Sequence, residues 1–199
     1  MTSRIKDFKC VRITREVAKP FIEEYHYTKS IRSVTCNYCF GLYDGETIIG
    51  AMIYGRPSLL NQQICYNKDH PELVMELRRL CCIDDTPKNT ESYFISKTLK
   101  WLKLNTNIEI IISYADSRQG HTGIIYRATS FEYLGETPKL SSISYNGLLF
   151  HKRCLHHKKN GQLTNRALEL REALKNGEAV WTTPMTKHIY LFNLKKRRK

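Results

Sequence analysis

Long apolar runs are missing from this sequence. Nowhere does it carry the ~20 consecutive apolar residues that a membrane span requires. The opening Met1-Thr-Ser-Arg-Ile-Lys-Asp-Phe8 lacks the apolar stretch of a signal peptide, so a cytoplasmic chain with no membrane partner is expected. Acidic residues are scarce: 19 Asp and Glu stand against 32 Lys and Arg, for a formal net charge of +13 and a pI near 9.5. Cysteines are not arranged in pairs. Seven of them, an odd number without an export signal, argue for reduced thiols rather than a disulfide framework. Cys36-Asn-Tyr-Cys39 has the spacing of half a zinc site, but Cys81 and Cys82 are adjacent, which is poor chelate geometry for the other half. Cys36 and Cys39 also fall in a segment that reads as strand, where a three-residue offset sends side chains to opposite faces. Buried free thiols acting as small hydrophobes are therefore expected.

What is present excludes a disordered polycation: 41% of the 199 residues are hydrophobic and 11% aromatic. That length suits one domain, here 1–194, followed by a basic tail, 195–199. Phe8–Ile13 alternates and reads as a strand. Thr14 is a candidate N-cap for a helix from Arg15 to Tyr25 with Val17, Phe21, Ile22 and Tyr25 on one face; Pro20 predicts a kink or the firm start of the helix. Cys36–Tyr43 and Thr47–Tyr54 flank Asp44-Gly45, a hairpin signal. Pro57–Asn61 reads as loop and Leu73–Ile83 as a central strand. A helix over Ser92–Leu104, capped by Asn89 or Thr90, carries Phe94, Ile95, Leu99, Trp101 and Leu102. Ile108–Tyr114 is a buried strand, Gly120–Thr129 a short helix and Phe131–Gly135 another strand. Thr164–Asn176 forms a helix closed by Gly177, and His188–Leu194 is a last strand. Helices alternating with strands around a mixed central sheet predict an α+β (α/β sandwich) fold.

The positive charge is concentrated late. Residues 151–160 (HKRCLHHKKN) and 195–199 (KKRRK) contain no acid. Fields of this kind attract phosphates, so Lys152, Arg153, Lys158, Lys159, Lys195, Lys196, Arg197 and Arg198 are candidate nucleic-acid contacts. Tyr133, Tyr145, Phe150 and Tyr190 interleave with these charges and can offer faces for stacking on bases. A solubilising surface is the plain alternative.

The stretch richest in chemistry is Ser113-Tyr-Ala-Asp116-Ser-Arg-Gln119-Gly120-His-Thr-Gly-Ile-Ile-Tyr126. Its buried strand ends in a polar loop, and ligands of open α/β sheets sit at the carboxyl ends of strands. A helix N-terminus beyond Gly120 would add N–H groups for an anion.

Ile125-Tyr126-Arg-Ala-Thr-Ser-Phe131-Glu-Tyr-Leu-Gly135 resembles the late helix-to-strand segment of the GNAT acyltransferase superfamily, in which the matching tyrosine serves as general acid. Glu24-Tyr-His-Tyr27-Thr, Glu76-Leu-Arg-Arg-Leu80, Pro87-Lys-Asn-Thr-Glu-Ser92 and Ser113-Tyr-Ala-Asp116, with Gln119-Gly-His-Thr-Gly-Ile-Ile-Tyr126, resemble the Mom family of bacteriophage DNA-modification proteins. That likeness runs roughly from residue 20 to 155 and includes His151-Lys-Arg153. It implies a GNAT-like enzyme in the host cytoplasm that converts adenine in double-stranded DNA to N6-carbamoylmethyladenine and so shields phage DNA from restriction. It further implies active positions at His26, Tyr27, Arg78, Ser92, Asp116 and Tyr126. One departure stands out: GNAT enzymes hold coenzyme A with a glycine-rich loop, whereas Cys82–Ser92 has no glycine.

From the product, Asp116 is the candidate to accept a proton from the amine, Tyr126 to donate one to the leaving group, and Arg78 to neutralise a phosphate or oxyanion. The donor-binding candidates are Ser92, Asn89, Gln119 and Gly120. The added atoms have the content of a glycyl group, so the expected donor is an activated glycyl group such as glycyl-tRNA, with acetyl-coenzyme A as the alternative. Iron, held by His26 and Tyr27, would be a redox route, although adjacent residues in a turn make an incomplete site. tRNA and a second copy of the chain are the further partners considered. Two other functions stay open: a conventional GNAT N-acetyltransferase on a small amine or protein, and a non-catalytic DNA-binding protein on the same scaffold.

Overall fold

The computed structural model describes residues 4–32 and 34–195. The chain divides into two compact units: the described parts of Met1–Ala115, His121–Gly135 and His188–Lys199, and then Asp116–Gly120 with Glu136–Lys187.

The first unit opens with β1 (Lys9–Ile13), α1 (Arg15–Tyr25), the hairpin β2 (Tyr38–Asp44) and β3 (Thr47–Gly55), then α2 (Leu60–Tyr66) and β4 (Val74–Cys82). α3 (Thr90–Asn105), β5 (Ile110–Asp116), α4 (Ile124–Ala128) and β6 (Glu132–Glu136) follow. The chain returns with β12 (Lys187–Asn193) after the second unit's β7 (Ser142–Tyr145), β8 (Leu148–His151), β9 (Lys158–Lys159), β10 (Gln162–Leu163), α5 (Asn165–Lys175) and β11 (Val180–Trp181). The main sheet has the order β1-β2-β3-β4-β5-β12-β6. β1 to β4 pair antiparallel and β4 with β5 parallel, so the sheet is mixed.

Both faces of this sheet are covered. Met52 and Tyr54 of β3 join Phe94, Ile95 and Leu102 of α3 in one core, while Ala51 and Ile53 join Ala18, Phe21 and Ile22 of α1 in another. Alternation along one strand feeds a helix on each side, which is the α+β sandwich expected. Thr14 caps α1 by accepting from the Val17 amide. The helix runs from Arg15 to Tyr25 with Pro20 inside it, so of the two expectations a start at the proline is corrected. Its buried stripe is Ala18, Phe21 and Ile22; Val17 and Tyr25, expected inside, are exposed.

Other expectations also change. Residues 60–66, partly read as loop, form α2, which has no side-chain N-cap to announce it. The predicted helix from Gly120 is a 3-10 turn over Ser117–Gln119 followed by a single α-turn that starts at Ile124. Cys36 precedes β2 rather than lying in it, so its thiol reaches that of Cys39 and both pack in the α1-side core. The seven thiols are free, but the expectation that they are buried holds fully only for Cys39: Cys10, Cys36, Cys81, Cys82 and Cys154 are partly buried and Cys65 on α2 is exposed.

The second unit holds the sheet β11-β7-β8, the β9–β10 hairpin and α5 around Ile143, Leu170, Ala173 and Ala179. Its two tight turns are Asn146-Gly147 and Asn160-Gly161, all four residues at positive φ. Asn-Gly suits such turns because asparagine tolerates and glycine prefers the left-handed region. α5 ends as expected, at Asn176 with Gly177 at φ 78°. Among the described residues no helix is long and apolar enough to cross a membrane.

Candidate active site

β4 and β5 are the parallel pair at the centre of the first unit, and their ladder is short. Val74 to Leu77 pair with Ile110 to Ser113, and among the described residues the pairing ends there although β4 continues to Cys82. On the other side of β4 the register skips Arg78: Ile53 faces Arg79 and Tyr54 faces Leu77. The extra residue makes a β-bulge, a device that re-aims side chains beside active sites. β4 is thus freed on one edge and bulged on the other just past Leu77, at the carboxyl side of a parallel pair, where open sheets bind ligands.

Tyr126 marks this fork. It is buried, its hydroxyl is hydrogen bonded to Ser113, and Ser113 donates to the Leu77 carbonyl at 3.4 Å on the last rung. The ring packs against Phe131 and Tyr190, with centroids 5.4 and 5.1 Å away. Burial pushes the phenol up to about 12, so it keeps its proton at neutral pH, as a general acid must. Tyr190 is itself fully buried and donates to the Thr122 carbonyl at 2.6 Å. The expectation that it stacks on a base is corrected, because it has no open face. Gly123, just before α4, lies under that ring with φ 73°; a Cβ there would stand 2.2 Å from Tyr190.

His26 caps the end of α1 and is buried. Its ring stacks on Tyr27 at 4.3 Å, and Tyr27 meets His121 edge-on at 5.7 Å. The amide N–H of Thr28 donates to His26 Nδ1 at 3.1 Å. Burial first, then the charges of Arg79 and His121, hold the imidazole neutral, its pKa down at about 3.

Arg78 is the extra residue of the bulge and Arg79 the one that faces Ile53, and the two arginines take different partners. Arg79 is the one beside His26 and Tyr27; its Nε donates to the Ser30 carbonyl at 3.2 Å. Arg78 donates to Glu76 at 3.1 Å, to the Arg56 carbonyl at 3.2 Å and to Ser58 Oγ at 3.1 Å, which ties down the segment after β3. Its Nε is buried with no hydrogen-bond partner. Arg79, Ser113, Thr28 and His121 were not among the predicted site residues. The repeated Arg in Glu76-Leu-Arg-Arg-Leu80 was the signal available for the first of them.

The profile of the Mom protein family matches residues 7–199. The chain belongs to the Mom protein family. The methylcarbamoylase Mom of Escherichia phage Mu is 31% identical over 134 residues, which is 65% of this chain and 54% of that protein. The match therefore spans about half the length of that curated relative. Solved structures identify the fold as GNAT-like. A spermidine/spermine N-acetyltransferase from Vibrio cholerae gives a TM-score of 0.55 at 10% identity over 96% of this chain and 95% of its own. A ribosomal-protein-S5-alanine acetyltransferase from Vibrio fischeri gives 0.54 at 10% identity over 100% of both chains.

The remaining predicted positions of this Mom-family chain fall as follows. Asn89 lies just before α3 at φ 73°, so asparagine supplies the left-handed turn that no glycine is present to make. Ser92 is in the first turn of α3, where its carbonyl accepts from Ser96 Oγ at 2.9 Å. Asp116, Gln119 and Gly120 belong to the second unit. There Asp116 caps the 3-10 turn through the Arg118 amide at 3.1 Å and pairs with Lys187 at 3.5 Å. Gly120 closes that turn at φ 69°. Lys152, Arg153, Lys158 and Lys159 are exposed, the last two on one arm of the β9–β10 hairpin. Lys195 pairs with Glu109, before the start of β5 and away from the fork, beside a surface depression of about 540 Å³. Lys196, Arg197 and Arg198 lie outside the described residues.

Iron at His26 and Tyr27 does not fit this donor set. An amide N–H can only donate, so Nδ1 accepts and the neutral ring carries its proton on Nε2, leaving no lone pair there for a metal. Among the described residues no three His, Cys, Asp or Glu side chains gather as a metal site.

Proposed function

We propose that this chain modifies DNA by transferring an activated acyl group to the N6 amine of adenine, ending in N6-carbamoylmethyladenine. Membership of the Mom family and the GNAT-like fold support a transferase. The observation that carries the reading is the buried Tyr126 side chain at the β4–β5 fork, beside Ser113 on the last paired rung.

Adenine N6 is a weak nucleophile and is paired inside the duplex, so the base leaves the stack at a cost of a few kcal/mol. With glycyl-tRNA as donor, N6 attacks the ester carbonyl, the new C–N bond forms, and the bond to the tRNA oxygen breaks. One proton passes overall from the nitrogen to that oxygen. Tyr126 delivers it at the departing oxygen and recovers it from the amine. Asp116, engaged as described, is not needed for this balance. The freed glycyl amine then attacks ring carbon C6 through a five-membered arrangement; the old C6–N6 bond breaks, and the glycinamide isomer results. The start of α3, with Asn89 and Ser92, would take the donor's phosphate end. The exposed basic residues of the second unit would hold the DNA backbone.

Nucleoside mass spectrometry of plasmid DNA from expressing cells tests the reading. Wild type should give the glycinamide adduct, and Tyr126→Phe should lose it by about 10²-fold or more while DNA affinity persists. An unmodified wild-type plasmid refutes the enzyme and favours a DNA-binding scaffold. Full modification from acetyl-coenzyme A, with no amino-acid source, refutes the glycyl donor.

A further inference from the structure

We infer that His26 selects adenine: its Nε2–H donates to ring nitrogen N1 of the displaced base, and Thr28 is the positioning residue that holds the imidazole in that tautomer. The inference rests on the adenine reading above and adds how the site recognises the base. Thr28 approaches Nδ1 twice, with its amide N–H at 3.1 Å and its hydroxyl at 2.9 Å. The hydroxyl has a single proton, shared between Nδ1 and the Ser30 carbonyl 3.3 Å away. The amide has no such choice. It fixes Nδ1 as the acceptor and places the ring proton on Nε2.

All the hydrogen bonds of this imidazole within the described protein run through Nδ1. Among the described residues the one buried side-chain polar atom lacking a partner is Arg78 Nε, so His26 Nε2 meets solvent rather than a sealed interior. One ring face is covered by Tyr27, whose hydroxyl stands near both the Arg79 guanidinium and the Tyr126 phenol. The same aromatic side chain thus touches the imidazole and is coupled by charge to the proton-carrying phenol.

The groups facing His26 keep its role constant. Arg79 from β4, His121 from the loop before α4 and Tyr27 beside it include no carboxylate to favour an imidazolium. A ring so placed is a fixed donor rather than an acid or base. Adenine's N6 amine is flanked by the N1 acceptor, whereas guanine carries a hydrogen on N1. A buried donor thus accepts one purine and meets the other donor to donor, and sites built to hydrogen-bond a substrate reject analogues that leave them unpaired.

The test uses duplex oligonucleotides with adenine, 1-deazaadenine or 7-deazaadenine at one position, in a bacterial cell extract that supplies charged tRNA and acetyl-coenzyme A. Adduct formation is read by mass. Because removing N1 also alters the amine's reactivity, the decisive quantity is how the adenine to 1-deazaadenine rate ratio changes between proteins. Wild type should exceed His26→Leu in that ratio by about tenfold, the equivalent of one hydrogen bond. His26→Gln, which returns an N–H near the Nε2 position, should restore it, and 7-deazaadenine should show no such dependence on His26. In the free protein, nitrogen NMR should find Nε2 protonated and Nδ1 bare from about pH 8 to about pH 5. Equal ratios in wild type and both variants with adenine still modified, or a proton on Nδ1, overturn the inference and leave the proposed function standing. Failure to modify ordinary adenine overturns both.

Discussion

His26 and His156 each use Nδ1 as an acceptor, one from the Thr28 amide at 3.1 Å and one from the Arg171 guanidinium at 3.4 Å, yet they sit in opposite kinds of surroundings. Around the fork of the first unit the polar groups are buried, and Ser113, Tyr126, Tyr190 and His26 each have a named partner. In residues 151–160 of the second unit, Lys152, Arg153, Lys158, Lys159 and His156 are exposed. Burial makes a polar side chain specific, because leaving it unpaired is costly; exposure leaves it a charge, screened by salt and tolerant of change. The first region is suited to chemistry and the second to holding a polyanion.

The comparison breaks first at Gly123 if it is wrong. Gly123→Ala would place a Cβ against the Tyr190 ring at a position already at φ 73°, and neither the ring nor the backbone can give way cheaply. A loss of about 3 kcal/mol in urea unfolding is expected, from overpacking added to left-handed strain. A loss below about 1 kcal/mol would mean that the fork is loosely built.

Replacing Lys152, Arg153, Lys158 and Lys159 together with Gln should do the reverse. Stability should change by no more than about 0.5 kcal/mol per site, as is usual for exposed positions. The salt dependence of DNA binding, measured by anisotropy, should flatten by up to about 3 to 4 log units per log unit of salt, near 0.9 for each phosphate no longer neutralised. A melting loss like that of Gly123→Ala with an unchanged slope would make these charges structural instead.

Much of the architecture was legible because local signals and packing agree. Thr14, the Asp44-Gly45 hairpin, the β-branched run before Tyr114 and Gly177 each announce an element that forms. Asn146-Gly147 and Asn160-Gly161 are the same kind of signal as Asp44-Gly45; the basic run 151–160 that ends in Asn160 points first to charge, and Asn146-Gly147 sits between the short segments 142–145 and 148–151, so neither hairpin stands out. α2 had no such signal to find. At the site, His26, Tyr27 and Tyr126 could be picked out as residue types in a pattern. Arg79 had only the repeated arginine as a hint, and Thr28 and Ser113 had none, since their meaning comes from which face of β4 looks toward α1, which amide turns back on Nδ1, and where a ladder stops.

His26 also gives the first unit a pH dependence. Its folded pKa is near 3, against 6.5 in the unfolded chain. Between those values the unfolded state binds a proton that the folded state refuses, so stability falls as pH drops below about 6.5 and is unaffected above it. From about pH 6.5 to about pH 5 the loss should approach about 2 kcal/mol, at about 1.4 kcal/mol per pH unit. In His26→Gln that part of the acid slope should vanish. An identical slope in the variant would mean that the imidazole is charged in the folded protein.

The smallest effect sharpens the comparison from inside the first unit. Lys195 is exposed like the second unit's lysines, but it is paired with Glu109 at the start of β5. An exposed ion pair of this kind contributes about 0 to 1 kcal/mol, so Lys195→Gln should shift unfolding by no more than about 0.5 kcal/mol. With its charge already matched, it should also leave the DNA salt slope within about 0.5 of wild type, whereas the four exposed charges of the second unit move it several times as far. If Lys195→Gln instead flattens the slope by as much as one neutralised phosphate, then exposure alone, irrespective of pairing, decides which cations meet DNA. The distinction between the two regions would then reduce to solvent accessibility.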